Sequence, residues 1–588
     1  MLRRKLAGSR RTLSGTRPGA AWAATAAIAS LILVAAACTS EDGKGAQSQP
    51  DPSPERSADD GTENSSSTDE QAQAPTKPRG WFDVACSLDP EILRRVKRGT
   101  DAGRSPDITF LPRRPHYVGG FGFTSHSGPD EYLQRVPLAL FGPGFVRSRG
   151  TVSPTREVTV ADIAPTIADL VDTPFPRNRP GRVIEEALLP RAQRNGRPDL
   201  VVTVVWDGGG MNVLEQWPRA WPHLKRLMRK GTSLSDATVG SSPSVTPSVH
   251  ATIGTGAFPD DHGMVDSWVR VDNNVVDAWE ANTSPRLLEI PTLADLYDRR
   301  EGNAPVIGLV AEHAWHFGML GKGANFPGGD HDIALRINAT GRTGTNRSYY
   351  SLPASAISVP GLDDAIRTLD SDDGAIDSRW LGTSLDDFAK GTPAWNIYQT
   401  MISEQILTNE GFGQDDVPDL FFTNYKQLDL AGHEYNMINR EVRSSLEYTD
   451  AELPKLMRIL DRISGRNNWV MIVTADHGQQ PDHTAANAWP IKNNQVVNDL
   501  ARHLKVELDD LIQQTRVTGY WLDRTVLRKA GADLGDVAEF LLDYTIGDNG
   551  SDEELEAYRS RMKERLFEAA LPSSRVADAL ACAEKRAG

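Results

Sequence analysis

Only three of the 588 residues are cysteine, Cys38, Cys86 and Cys582, so the chain cannot build a zinc cluster on thiolates. No long Lys/Arg run follows the leader, and the net charge is −15 with a pI near 5.4. Without a basic stripe nothing neutralises a phosphate backbone, so a nucleic acid polymer is not an expected partner. Small anionic substrates remain open, because the local charge of a bound metal outweighs the global field. No internal repeat is visible. Residues 39 to 79 nearly lack large apolar side chains and are rich in Ser, Asp, Glu, Gln and Pro. Such a segment cannot bury enough surface to fold, and it reads as a disordered linker.

Long apolar runs are also scarce. One, "AWAATAAIASLILVAAAC", follows Arg3, Arg4, Lys5, Arg10 and Arg11 and ends at Cys38. Residues 1–38 therefore read as a lipoprotein signal peptide, with Cys38 as the lipidated mature N-terminus. The alternative is an uncleaved anchor, since the run approaches the roughly 18 residues that span a bilayer. Either way the remainder is expected on the extracytoplasmic face, tied to the membrane. "SRRTLSG" fits a twin-arginine export signal or an ordinary basic leader. In an oxidising compartment Cys86 and Cys582 are expected to pair, stapling the start of the folded part to its end; two buried free thiols are the alternative. Oligomeric state is not legible.

What the chain does have is alternation. "DLVVTVVWD" (199–207), "PVIGLVA" (305–311), "PDLFFTNY" (418–425) and "NWVMIVTADHG" (468–478) are short, apolar and rich in β-branched residues. They read as buried strands of a mostly parallel sheet. Helical segments such as "RAWPHLKRLMRKG" and "EVRSSLEYTDAELPKLMRILDRI" lie between them. In α/β sheets ligands bind beyond the carboxyl ends of the strands. Those ends carry metal-ligand residue types: Asp207 before "GGG", Asp429 and His433 four apart in "KQLDLAGH", and the pair Asp476 and His477. Taken singly, each has an ordinary explanation as a helix cap, a solvated helix face or a turn. Together at one sheet edge they suit zinc or another borderline divalent ion.

In "SSPSVTPSVHATIGTGAFPDDHGM", Thr246 before Pro247 starts a helix. It is either a cap alone or a hydroxyl at an anion-binding helix terminus, a nucleophile once a cation activates it. His250 and His262 fit core or turn packing better than ligation.

Asp207, "VTPSVHATIGTGAFPDDHG", "KQLDLAGH" and "TADHG" resemble the metal and nucleophile motifs of the alkaline phosphatase superfamily. The resemblance is to its type I phosphodiesterase/nucleotide pyrophosphatase and threonine-nucleophile phosphatase branch. Members carry one more ligand, a histidine ahead of a "vPlify-Gly-Pro-Gly" strand and a "DIAPT" helix near their C-terminus. Here "SHSGPDEYLQRVPLALFGPG" and "VADIAPTIADLV" match that closing portion, yet stand before Asp207. The resemblance therefore implies an alkaline-phosphatase-like α/β/α sandwich that is circularly permuted, with a cap insertion. The competing reading is an unrelated module at 105–189. The implied parts are residues 80–198 as the permuted portion carrying the last ligand, 199–266 and 416–490 as the catalytic core, 267–415 as the cap, and 491–588 as a mainly helical region.

The resemblance also implies two divalent ions, zinc foremost. Asp429, His433 and His126 would hold one, and Asp207, Asp476, His477 and the Thr246 oxygen the other. Thr246 would be the nucleophile on a small phosphorylated substrate. Where relatives place an asparagine for the phosphate, this chain has Ser267. Lys426 is either a phosphate donor or a solvated lysine, and His313, His316 and His483 are left undecided. The expected activity is phosphodiester or nucleotide hydrolysis, with monoester hydrolysis as the alternative. Sulfatase action lacks its C/S-x-P-x-R context, and a binding lipoprotein would not need a full ligand set.

Overall fold

The computed structural model describes residues 80–119, 124–279, 283–338, 340–372, 374–385 and 392–588. The expected leader, Cys38 and the linker lie outside them. Among the described residues nine strands form the central sheet: β1 Leu138–Phe141, β2 Gly150–Val152, β3 Leu200–Trp206, β4 Thr232–Leu234, β5 Ile307–Ala311, β6 Ile333–Ile337, β7 Thr343–Gly344, β8 Asp419–Tyr425 and β9 Trp469–Ala475. Their order is β7-β6-β5-β8-β3-β9-β1-β4-β2. The five from β6 to β9 run parallel, whereas β1 lies antiparallel to β9 and to β4.

The three middle strands are buried along their whole length. That is why they read as continuous apolar runs rather than as alternation. Their side chains divide between two cores. Val201, Val205, Leu420, Phe422, Val470 and Ile472 face one layer. Val202, Val204, Phe421, Tyr425, Met471 and Val473 face the other. Helices Ile163–Leu170, Thr246–Thr255 and Leu293–Glu301 contribute to the first core. Pro222–Lys230, Ala394–Asn409 and Arg440–Ile463 contribute to the second. The fold is thus α/β, with a large, mostly parallel sheet between helical layers.

Two segments carry more sheet than a cap and a helical region by themselves imply. The 267–415 stretch is not wholly an insertion outside the core: β5, β6 and β7 belong to the central sheet. A run as apolar as Ile307–Ala311, buried throughout, finds its partners only inside that layer. The 491–588 region is largely helical but also supplies strands Ile512–Arg516, Gly519–Leu522 and Phe567–Pro572. With Ile108–Pro112 these make a four-stranded antiparallel sheet over its own apolar cluster. Ile108–Pro112 lies between Gly519–Leu522 and Phe567–Pro572, so the early and late parts of the chain share one ladder.

A disulfide joins Cys86 to Cys582, with their Cα atoms 5.3 Å apart and a sequence separation of 496. Closing so long a loop removes much of the unfolded chain's freedom. Cys86→Ser with Cys582→Ser should therefore lower stability by roughly 2–4 kcal/mol. Denaturant unfolding checks it, and an unchanged midpoint would show that the bond does not restrain the unfolded state.

Candidate metal centre and nucleophile

Register builds the site. Trp206 pairs with Tyr425 on one side and with Ala475 on the other. The next residue of each strand, Asp207, Lys426 and Asp476, therefore emerges level at the carboxyl edge of the sheet. The following chain must turn sharply there. Gly208 takes a positive φ of 68°, and its N–H donates to Asp476 Oδ1 at 3.0 Å. A Cβ on Gly210 would lie 2.4 Å from Gly478 Cα, so these two turns touch backbone to backbone.

Two groups of ligand-type atoms assemble over this edge. Atoms of His126, Asp429 and His433 lie within 4.8 Å of one another, and so do those of Asp207, Asp476 and His477. The His126 and His477 rings stack with centroids 3.4 Å apart and planes at 5°, joining the groups. His126, which precedes every other member in sequence, lies 3.5 Å (Nε2) from Asp429 Oδ1.

The imidazoles share one orientation. His433 Nδ1 lies 2.7 Å from the Thr124 carbonyl, His126 Nδ1 3.3 Å from that of Ser244, and His477 Nδ1 2.9 Å from that of Gly478. Each Nδ1–H is thus committed to backbone, which leaves the Nε2 lone pair turned toward carboxylates. His433 Nε2 is 3.5 Å from Asp429 Oδ1, and His477 Nε2 is 3.4 Å from Asp476 Oδ2. Lone pair facing carboxylate oxygen is repulsive unless a cation stands between them. Asp429 Oδ1, Asp476 Oδ2 and His477 Nε2 are in fact buried without any hydrogen-bond partner. Leaving such groups unsatisfied costs about 1–3 kcal/mol each, more if charged. The donor set of carboxylates and neutral imidazoles fits zinc-type ions.

Charge points the same way. Three buried carboxylates face one ammonium, Lys426, whose Nζ lies 2.9 Å from Asp207 Oδ1 and 2.6 Å from Asp429 Oδ2. Burial opposes the charge on Asp207 and Asp429, but Lys426 outweighs it and holds both carboxyls below their usual range. Asp476, buried and repelled by Asp207, is pushed well up. Burial keeps His126 and His477 neutral, the form that binds a metal.

Thr246 is the first residue of helix Thr246–Thr255, with Val245 rather than Thr246 in the capping position. Its Oγ1 lies 3.4 Å from Lys426 Nζ. Lys426 is buried, not solvated. Ser267 Oγ is 3.5 Å from Arg516 Nη2, beside the Asp266–Arg516 ion pair.

His250 and His316 are buried around Asp207 and already have partners. His250 Nδ1 donates to the Thr246 carbonyl at 2.8 Å, and its Nε2 accepts from Asn424 Nδ2 at 2.8 Å. His316 Nε2 lies 3.2 Å from Asp207 Oδ2, as does Asn424 Nδ2 at 3.1 Å. Both histidines therefore read as residues that orient Asp207. His313 stacks on Trp315, His262 bonds Thr252 Oγ1 at 3.1 Å, and His483 sits by Asp482. Asn424 was not singled out from sequence, although its place two residues before the end-of-strand Lys426 was the available signal.

Residues 201–587 match the family described as type I phosphodiesterase / nucleotide pyrophosphatase. The chain belongs to that family. As a type I phosphodiesterase/nucleotide pyrophosphatase family member it is a phosphoric ester hydrolase of the alkaline phosphatase superfamily. It is similar to alkaline phosphatase PafA of Elizabethkingia meningoseptica, 22% identical over 400 residues, or 59% of this chain and 73% of that one. It also resembles alkaline phosphatase PhoV of Synechococcus elongatus, 22% identical over 167 residues, 27% of this chain and 30% of that one. Among solved structures, wild-type PafA matches with a TM-score of 0.47 at 18% identity, over 59% of this chain and 76% of that one. Murine ectonucleotide pyrophosphatase/phosphodiesterase 5, inactive and in complex with AMP, matches with a TM-score of 0.28 at 18% identity, over 47% and 56%.

Proposed function

We propose that this family member is an exported, metal-dependent hydrolase of small phosphorylated substrates, with Thr246 as nucleophile and phosphodiesters or nucleotides as its principal substrates. The observation that carries the reading is the common orientation of His126, His433 and His477. Each is fixed at Nδ1 by a backbone carbonyl, with Nε2 turned to a carboxylate oxygen, Asp429 Oδ1 or Asp476 Oδ2, that has no hydrogen-bond partner. His126, Asp429 and His433 would hold one divalent ion; Asp207, Asp476 and His477, with the Thr246 oxygen, would hold the other. Bound ions supply Lewis-acid charge that stabilises a phosphoryl group in transfer.

The chain's own residues account for the rest. Thr246 Oγ1 gives up its proton to solvent and attacks phosphorus; an Oγ–P bond forms, the P–O bond to the leaving group breaks, and the departing oxygen takes a proton from solvent. Water then attacks phosphorus, the Oγ–P bond breaks, and Thr246 recovers its hydroxyl. Lys426 holds a positive charge 3.4 Å from Oγ1, where negative charge develops. His250 and Asn424 keep Asp207 aimed into the site. A buried cation beside the nucleophile also favours the second reading, monoester hydrolysis, whose substrates carry an additional charge.

Circular permutation would explain why His126 and the adjacent β1 precede β3, where the family match begins. Chain ends commonly lie close in space, so re-joining them at "PRAQRNGRP" (190–198) costs little. Lipidation at Cys38 and attachment at the extracytoplasmic face belong to the same reading, and the Cys86–Cys582 disulfide suits that oxidising compartment.

His126→Ala tests the ligand set. Metal analysis after gel filtration should show the variant losing about one ion per chain, as His433→Ala does, with metal affinity lowered by roughly 10- to 100-fold or more. Full occupancy in His126→Ala would remove His126 from the site and the permutation with it.

A further inference from the structure

Away from the phosphoester site three more carboxylates converge. Asp298 lies on helix Leu293–Glu301, while Asp330 and Asp332 lie just ahead of β6. One oxygen from each falls within 4.8 Å of the other two. Asp298 is fully buried and both its carboxylate oxygens lack any hydrogen-bond partner; Asp332 is 5% exposed, with Oδ2 equally unpartnered. Among the described residues no lysine, arginine or histidine pairs with any of the three. The charges acting on Asp298 come from Asp330 and Asp295, and those on Asp332 from Asp298, Asp295 and Asp330, so all are negative.

Asp295 is a different case. Its oxygens accept from the backbone of Thr292 at 2.9 Å and of Lys322 at 2.9 Å, so it serves as a helix cap. Asp298 has no such work. An ionised carboxylate buried among like charges is strongly unfavourable unless something neutralises it, and burial accordingly pushes Asp298 up to about 7. Asp330 and Asp332 also line a cleft of about 420 Å³ together with Asn303, Ser351 and Glu410, which gives water access to the cluster. Asn303, whose N–H donates to the Asp298 carbonyl at 3.0 Å, has its own Oδ1 buried and unpartnered.

We propose that Asp298, Asp330 and Asp332 bind a hard divalent cation of the calcium class, which ties helix Leu293–Glu301 to the loop entering β6. Donors that are all oxygen, with no imidazole or thiolate, select calcium or magnesium over zinc. Calcium is preferred because only part of its shell needs to come from protein and its geometry is tolerant, with water supplying the remainder. The site shares no residue with the phosphoester site and does not depend on the function proposed for it.

The test uses the full chain saturated with zinc, titrated with Ca2+ or Mg2+, and read by calorimetric unfolding and by equilibrium dialysis with radioactive calcium. In wild type a hundredfold excess of Ca2+ over its Kd should raise Tm by about 2–3 °C. Dialysis should show one more bound Ca2+ than in Asp298→Asn or Asp332→Asn. Asp330→Asn, at an exposed position that does not threaten folding, should weaken Ca2+ binding roughly tenfold while aryl phosphate ester turnover under saturating zinc stays unchanged. Absence of any Tm rise with either cation in wild type would overturn the proposal. So would an undiminished rise and stoichiometry in all three variants.

Discussion

Thr246→Ala should lower kcat/KM on aryl phosphate esters by roughly 10^3- to 10^6-fold while leaving the fold and most of the bound metal intact. The reason is positional. Thr246 opens a helix whose ten residues are all buried, and its Oγ1 is the hydroxyl set beside Lys426. The helix gains little from that hydroxyl, because Val245 occupies the capping position and the Thr246 side chain makes no capping bond. Circular dichroism and thermal melting should therefore be nearly unchanged. The proposed metal ligands Asp207, Asp476 and His477 are untouched by the substitution. Thr246→Ser, which keeps an attacking oxygen, should recover a large part of the turnover. Wild-type rates in Thr246→Ala would mean that phosphorus is attacked directly by water, and the proposed phosphothreonine intermediate would be lost.

Exhaustive chelation should suppress turnover of both phosphate mono- and diesters by roughly 10^3- to 10^5-fold, the equivalent of the several kcal/mol that metal charge contributes to phosphoryl transfer. Zinc should restore it in proportion to about two ions per chain. Without cations, the partnerless Asp429 Oδ1, Asp476 Oδ2 and His477 Nε2 would remain uncompensated. Chelation should accordingly lower thermal stability as well as activity. Calcium alone should not restore turnover, since imidazole donors suit borderline ions. Activity that survives complete removal of metal, confirmed by elemental analysis of the same sample, would refute the metal-dependent mechanism. The ratio of diester to monoester turnover in the restored enzyme decides between the two substrate readings.

Much of this was legible in sequence because parallel strands buried on both faces leave an unmistakable mark. The runs ending at Trp206, Tyr425 and Ala475 are mostly apolar and wholly buried, and the polar residue that follows each had to sit at one edge. Other features left no mark. The strand Phe567–Pro572 reads as little more than an apolar patch, and its partner Ile108–Pro112 lies more than four hundred residues away. Ladders between such distant segments depend on pairing that no local pattern records. Similarly, 305–311 reads as a buried strand, yet that β6 and β7 extend the same sheet beyond it is set by their neighbours in space rather than by their own residues.

From sequence alone came the candidate site residues and the kind of sheet that displays them, since hydrophobic period and strand-end position are local properties of the chain. The tertiary structure alone decided how those residues face one another. It turned three imidazoles the same way by giving each Nδ1 a carbonyl, two of them from distant segments. It buried Lys426 among carboxylates instead of leaving it in solvent, and moved Ser267 toward Arg516. It also brought Asp298 beside Asp330 and Asp332. Orientation, burial and the absence of a partner are properties of packed neighbours, and packing is where the linear order of residues ceases to be informative.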